Sequence, residues 1–249
     1  MTTPAVVMQP AIRKDHARVR RWDRVFFSVM SLVILAAVLF GFAKTYFLAG
    51  MVAAPLPNRL IHVHGAAFSL WILLLIVQTA LISARQVKIH RTLGMAGFCL
   101  AVAMLVLGTL AAVDALKRGS GPLGLDPQTF LVVPLTAILL FAILITAAYR
   151  LRLKAEAHKR LILIGTIALL DAAVGRWPVA ILQAQPKLQD LVILAFLLVV
   201  AGYDLFSLRR ISKTTLWAAG LVIVVHAVRV PIGLTPMWHR FAAYVQIHG

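Results

Sequence analysis

His62-Val63-His64-Gly65, an apolar run carrying Trp71 and Gln78, and then Ile89-His90-Arg91-Thr92-Leu93-Gly94 decide the fold. From Gly65 to Ala84 the run between the histidine-bearing ends is almost unbroken apolar sequence. A hydrocarbon crossing takes about 20 such residues at a rise of about 1.5 Å each. One complete membrane helix with imidazoles at both mouths is therefore expected. His64 and His90 are 26 residues apart, about 39 Å along a helix, so they cannot share one metal.

Working outward, the same pattern recurs. Seven spans are expected: Val25 to Tyr46, Gly65 to Ala84, Leu93 to Leu116, Phe130 to Tyr149, Leu161 to Leu182, Leu191 to Leu208 and Leu216 to Leu234. The fold class is thus all-α, a polytopic transmembrane helix bundle. Short connections predict that neighbours in sequence pack antiparallel. Residues 1–24 read as a basic cytoplasmic tail, residues 25–238 as the membrane domain and residues 239–249 as a short periplasmic tail.

The chain has 249 residues, of which 61% are hydrophobic and 13% charged, with a formal net charge of +17. Such a charge on a soluble domain would point to nucleic acid. Here the bases sit in short clusters between apolar runs, where they set topology and face anionic lipid, so nucleic acid is not an expected partner. With the N-terminus inside, the inner segments hold 17 Lys and Arg and the outer segments five. The expectation is a bacterial inner-membrane protein with its N-terminus in the cytoplasm and its C-terminus in the periplasm. The run after residue 24 is too long for a signal-peptide core. The one cysteine, Cys99, lies in an apolar run, so no disulfide forms within the chain.

A weak internal repeat is visible. Ile89-His90-Arg91-Thr92-Leu93 and Ala157-His158-Lys159-Arg160-Leu161 each open a span, and Gly97 and Gly165 follow at the same offset. Spans 2–3 and 4–5 are expected to be two copies of one hairpin in parallel orientation.

Ionisable groups at bilayer depth are costly, so each is a candidate site residue. Asp171 and His226 are expected near the midplane, with Arg176 and Arg229 further out. Lys44, Asp114, His62 and His64 lie toward the outer mouth. His226 and Arg229, three apart, share a helix face, and Asp171 is expected to meet them from another helix. Pro178 and Pro231 are expected to break or kink their spans just after Arg176 and Arg229. The plainer alternative is bundle glue: Asp171 paired with Arg229, and Asp114 with Lys44 or Arg176. Asp204 is expected to pair with Arg209 or Arg210.

Two histidine sites follow from spacing: an outer one with His62, His64 and His226, joined by His239, and an inner one with His90 and His158. Imidazole suits iron and copper. A haem b between His64 and His226, with Arg176 and Arg229 on its propionates and Asp171 orienting a ring, is one expectation; copper is another. His62, His64, His90 and His158 are the candidate metal ligands.

The motif HVHG, W, Q and IHRTLG, with the later AHKRL, resembles an uncharacterised family of bacterial multi-pass membrane proteins. It is more distantly similar to membrane proteins of haem-copper oxidase maturation, which also place His-Arg/Lys-x-Leu at helix starts. The resemblance covers about half the chain. It marks His62, His64, Gln78, His90 and His158 but supplies no reaction; membrane lipids and a respiratory or other membrane complex are the expected partners.

Three functions compete: a haem or copper protein in redox or oxidase assembly, a proton-coupled transporter or binding protein for an anionic or lipid-like ligand, and an auxiliary subunit without a site. The last span has no lysine for a retinal Schiff base. No Gly-rich phosphate loop, His-Glu-x-x-His helix or Gly-x-Ser-x-Gly elbow is present, so whether the protein is an enzyme stays open.

Overall fold

The computed structural model describes residues 10–49, 51, 58–121 and 125–249, with side chains from residue 21 onward except Pro186. The side chains of Arg13, Lys14, Arg18 and Arg20 and most of the proline-rich turn at residues 54–58 lie outside this set. Every regular element described is helical.

In chain order the elements are α1 (Pro10–Phe42), a π-helical turn (Ala43–Phe47), α2 (Arg59–Ser83), α3 (Val87–Lys117), α4 (Pro127–Phe130) and α5 (Val132–Arg150). They continue with α6 (Ala155–Ile167), α7 (Asp171–Val174), α8 (Ala180–Ala184), α9 (Pro186–Leu208), α10 (Lys213–Gly233) and α11 (Pro236–His248). Local chemistry marks the starts. Asn58 Oδ1 accepts from the amide of Ile61 at 3.0 Å at the head of α2, and Asp126 Oδ1 accepts from the amide of Thr129 at 2.9 Å ahead of Pro127. Thr235 caps α11 through the amide of Trp238.

Six helical stretches are long and apolar enough to cross a membrane: Arg21–Phe47, Arg59–Ser83, Val87–Lys117, Pro127–Arg150, Lys187–Leu208 and Lys213–Gly233. Leucine and valine side chains such as Leu32, Leu70, Val102, Leu139, Leu198 and Val224 stay exposed along them. An apolar exterior on this scale is the mark of a surface that contacts lipid.

The fifth expected span, residues 161–182, is not one helix. α6 ends at Ile167, and the amides of Leu169 and Leu170 then bond to the carbonyls of Thr166 and Ile167, a tightened turn. α7 has four residues, and Gly175 and Pro178 separate it from α8. Pro178 lacks the amide that a continuous helix needs. α1 holds the break in place: Trp177 Nε1 donates to Ala37 O at 3.0 Å, and Gly41 packs directly on the backbone of Ala173. Pro231 does not break its span: α10 runs through it and ends at Gly233. Residues 236–248, taken as tail from residue 239, form α11, which packs on α3 and α4.

α6 is the axis of the bundle. Arg160, Leu161 and Leu163 to Ile167 are buried, as expected of a helix enclosed on all sides. α5, α10, α1 and α9 contact it. The hairpins α2–α3 and α5–α6 pack alongside each other, with α3 against α5. The connections 84–86, 151–154 and 209–212 lie with the N-terminal part of α1 at one end, called the basic end below.

Candidate functional site

Two groups of polar side chains occupy the two ends of this bundle. The first sits where the broken helix meets α9 and α10. Arg229 Nη1 donates to Asp171 Oδ2 at 2.5 Å, and its Nη2 donates to Asp190 Oδ1 at 2.7 Å. His226 Nε2 lies 3.3 Å from Asp171, and its Nδ1 lies 2.9 Å from Val222 O. The structure thus brings together Asp171, His226 and Arg229, as their positions in sequence suggested. It adds Asp190, which sits in the first turns of α9 beside Lys187 and Gln189 and reads locally as an ordinary helix start. Charge balance was the available signal, because Arg229 between two carboxylates leaves no surplus cation. Asp171, Asp190 and His226 are close enough to share a metal ion. The Arg229 guanidinium already lies between the two carboxylates, in the place where such an ion would be held.

The other outer candidates lie elsewhere. His62 meets the hydroxyl of Tyr46 at 3.3 Å, and His64 packs on Phe68 with ring centres 4.2 Å apart. Arg176 donates to Ala172 O at 2.6 Å and lies over the Phe42 ring. His239 meets Thr129 Oγ1 at 3.0 Å. Asp114 pairs with Arg118 and Asn58 rather than with Lys44 or Arg176. Asp204 is held not by Arg209 or Arg210 but by Arg160, at 2.5 Å, and also accepts from Ser212 N and Thr215 Oγ1. Both ring nitrogens of His226 are occupied by protein groups, so His226 presents no free lone pair toward His64.

The second group lines a cavity of about 1650 Å³ at the basic end, larger than the roughly 300–1,000 Å³ of ordinary ligand sites. α1, α2, α3 and α6 form its walls. Its floor is apolar, with Trp71, Leu74, Leu75, Phe98 and Leu163. Trp71 is fixed there by a bond from its Nε1 to Thr166 Oγ1 at 3.1 Å and by edge-on packing against Phe141. The rim carries Arg24, Arg85, Arg91, Arg152 and Lys159. Lys159 is matched by Asp23 and Glu156, whereas no carboxylate among the described residues pairs with Arg24, Arg85 or Arg91. Arg85 holds a left-handed backbone, φ 61°, at the turn after α2. A side-chain-bearing residue pays for that conformation.

Between rim and floor stand Gln78, His90 and His158. The imidazole centres of His90 and His158 are 6.5 Å apart. His158 Nδ1 lies 2.9 Å from Ala148 O. A carbonyl only accepts, so Nδ1 carries the hydrogen and Nε2 is left with its lone pair. His90 Nδ1 and both amide atoms of Gln78 are buried without a hydrogen-bond partner. The glycines of the two hairpins do equivalent work: Gly97 packs on Leu74 of α2, and Gly165 on Leu144 and Ile145 of α5. Comparison with family models, with curated proteins and with solved structures finds no match to this chain.

Proposed function

We propose that this protein is an inner-membrane binding protein that takes an anionic amphiphile into the cavity at its basic end. The observation that carries the proposal is the pairing, in one cavity, of an apolar floor with rim arginines that no carboxylate among the described residues matches. An apolar body recovers hydrophobic energy at the floor, and an anionic head meets Arg24, Arg85 and Arg91. The charge asymmetry supports a cytoplasmic basic end, and the passage of the broken helix from the basic end to the start of α9 supports seven crossings. Haem, a planar apolar ring with two carboxylates, belongs to this ligand class. A redox or oxidase-assembly role therefore stays attached to the protein, with the site at His90 and His158 instead of His64 and His226.

The test uses purified protein in nanodiscs and a fluorescent polyene fatty acid. The acid is expected to bind, its uncharged alcohol to bind at least ~10-fold more weakly, and Arg85→Glu with Arg91→Glu to abolish the difference. Equal binding of acid and alcohol by the unmodified protein would overturn the proposal.

A second function is favoured by one observation at the other end. His226 Nδ1 faces a carbonyl and Nε2 faces a carboxylate. An imidazole set between two acceptors is stabilised when it takes a second proton. With that proton the cluster of Asp171, Asp190, His226 and Arg229 is neutral overall. Proton-coupled movement of the ligand is the corresponding activity. Uptake into proteoliposomes should then depend on a pH gradient and lose that dependence in His226→Gln; uptake indifferent to the gradient would exclude it.

A further inference from the structure

We infer that His90 and His158 are the two axial ligands of a haem iron held in the basic-end cavity. The inference rests on the proposal that this cavity admits an anionic amphiphile, and it names that amphiphile.

Separation is the first ground. Two imidazoles sharing a metal across a linear nitrogen–metal–nitrogen axis have ring centres about 6 Å apart, given metal–nitrogen bonds of about 2.0–2.1 Å. The observed separation is 6.5 Å. The ring planes are 86° apart, an angle open to two rings that share an axis, since each can rotate about it.

Protonation is the second ground. The bond from His158 Nδ1 to Ala148 O leaves Nε2 free, and a ligand histidine anchored through its other nitrogen is the usual arrangement at metal centres. His90 Nδ1 is buried and has no protein partner. A buried polar atom left unsatisfied costs about 1–3 kcal/mol, and a carbonyl or carboxylate of a bound molecule would remove that cost. Gln78, with both amide atoms unpartnered, faces the same cavity.

The choice of haem over a bare ion follows from ligand number. A protein site for zinc is built from three or four donor side chains. Among the described residues the one cluster of three such groups is Asp171, Asp190 and His226, at the opposite end. His90 and His158 have no third donor of that kind beside them. A porphyrin brings four nitrogens of its own and asks only for two axial imidazoles. It also asks for an apolar enclosure and cations for its propionates, which Trp71, Leu74, Phe98 and the rim arginines provide.

The internal repeat explains the geometry. Each histidine occupies the fourth position of the helix that follows the turn of its hairpin, in α3 and in α6. Two parallel copies packed side by side bring these positions to the same depth, one ligand from each.

The experiment titrates the purified full-length protein in nanodiscs with metal-free protoporphyrin IX and, separately, with hemin. Protoporphyrin probes the cavity alone, and the hemin spectrum probes ligation. Expected are binding of both, a low-spin bis-imidazole spectrum with hemin, and a loss of at least ~10-fold in hemin affinity in His90→Ala and in His158→Ala. Protoporphyrin should still bind both variants, which also shows that they fold. Added free imidazole should restore the low-spin spectrum. If protoporphyrin binds but hemin stays high-spin, or stays low-spin in both variants, the ligation is overturned and the cavity proposal stands. Binding of copper but not of hemin overturns the ligation in the same way. If neither porphyrin binds, the cavity proposal falls together with the ligation.

Discussion

Asp204 shows how much one side chain can hold. It accepts from Arg160, from the amide of Ser212 and from the hydroxyl of Thr215, so α9, the following turn, α10 and α6 meet on a single carboxylate. Both it and Arg160 are 1% exposed. Removing one partner of a buried pair leaves an uncompensated charge, at a cost of about 3–5 kcal/mol. Asp204→Ala is expected to lose that much in reversible unfolding in bicelles. Asp204→Leu combined with Arg160→Met should recover most of it. Asp126 makes a smaller, solvated version of the same point. Its bonds from the Thr129 hydroxyl and amide hold its carboxyl below the usual aspartate value. A depressed folded pKa means that the stabilisation is present at neutral pH and is lost as pH falls through that depressed value. Asp126→Ala should cost about 1 kcal/mol at pH 7, and the gap to the unmodified protein should close in thermal melts carried below the ordinary aspartate range.

At the scale of elements, the broken helix and its clamp decide the half of the molecule away from the basic end. Gly41 has no Cβ, and the carbonyl of Ala173 occupies the space one would need. Gly41→Ala must push α1 away from α7, which is backbone and cannot rotate aside. Overpacking of this kind costs about 1–3 kcal/mol. The expected outcome is a matching drop in stability and weakening of the Trp177 to Ala37 contact, read as a red shift of tryptophan emission that is absent in Trp177→Phe. A continuous helix through residues 161–182 would have carried Asp171 and Arg176 on a regular spiral. The break instead seats Asp171 at the start of a four-residue turn facing Arg229 and leaves Arg176 bonded to its own segment.

For the whole molecule, the proposed orientation places Leu153 in the cytoplasm and Met237 outside. These side chains are 84% and 83% exposed. Single cysteines at these positions, in a Cys99→Ser background, should divide cleanly. In intact spheroplasts an impermeant maleimide is expected to label Met237→Cys and to reach Leu153→Cys only after permeabilisation. The reverse pattern would invert the topology and put the large cavity on the periplasmic side. Much of the architecture was legible from residue pattern: the long apolar runs, the approximate limits of six of them, the meeting of Asp171 with Arg229 and the nearness of His90 to His158. Lipid leaves the backbone no partner but itself, so an apolar run of sufficient length has to be a helix. That constraint is local and can be read residue by residue. Partner choice is not local. The capture of Asp204 by Arg160, 44 residues away, the entry of Asp190 into the Arg229 cluster, the clamping of the broken helix against Gly41 of α1, and the opening of a cavity at the basic end all depend on which helices pack together. Only the tertiary structure decided them, because the energy that selects among such contacts appears when distant segments meet.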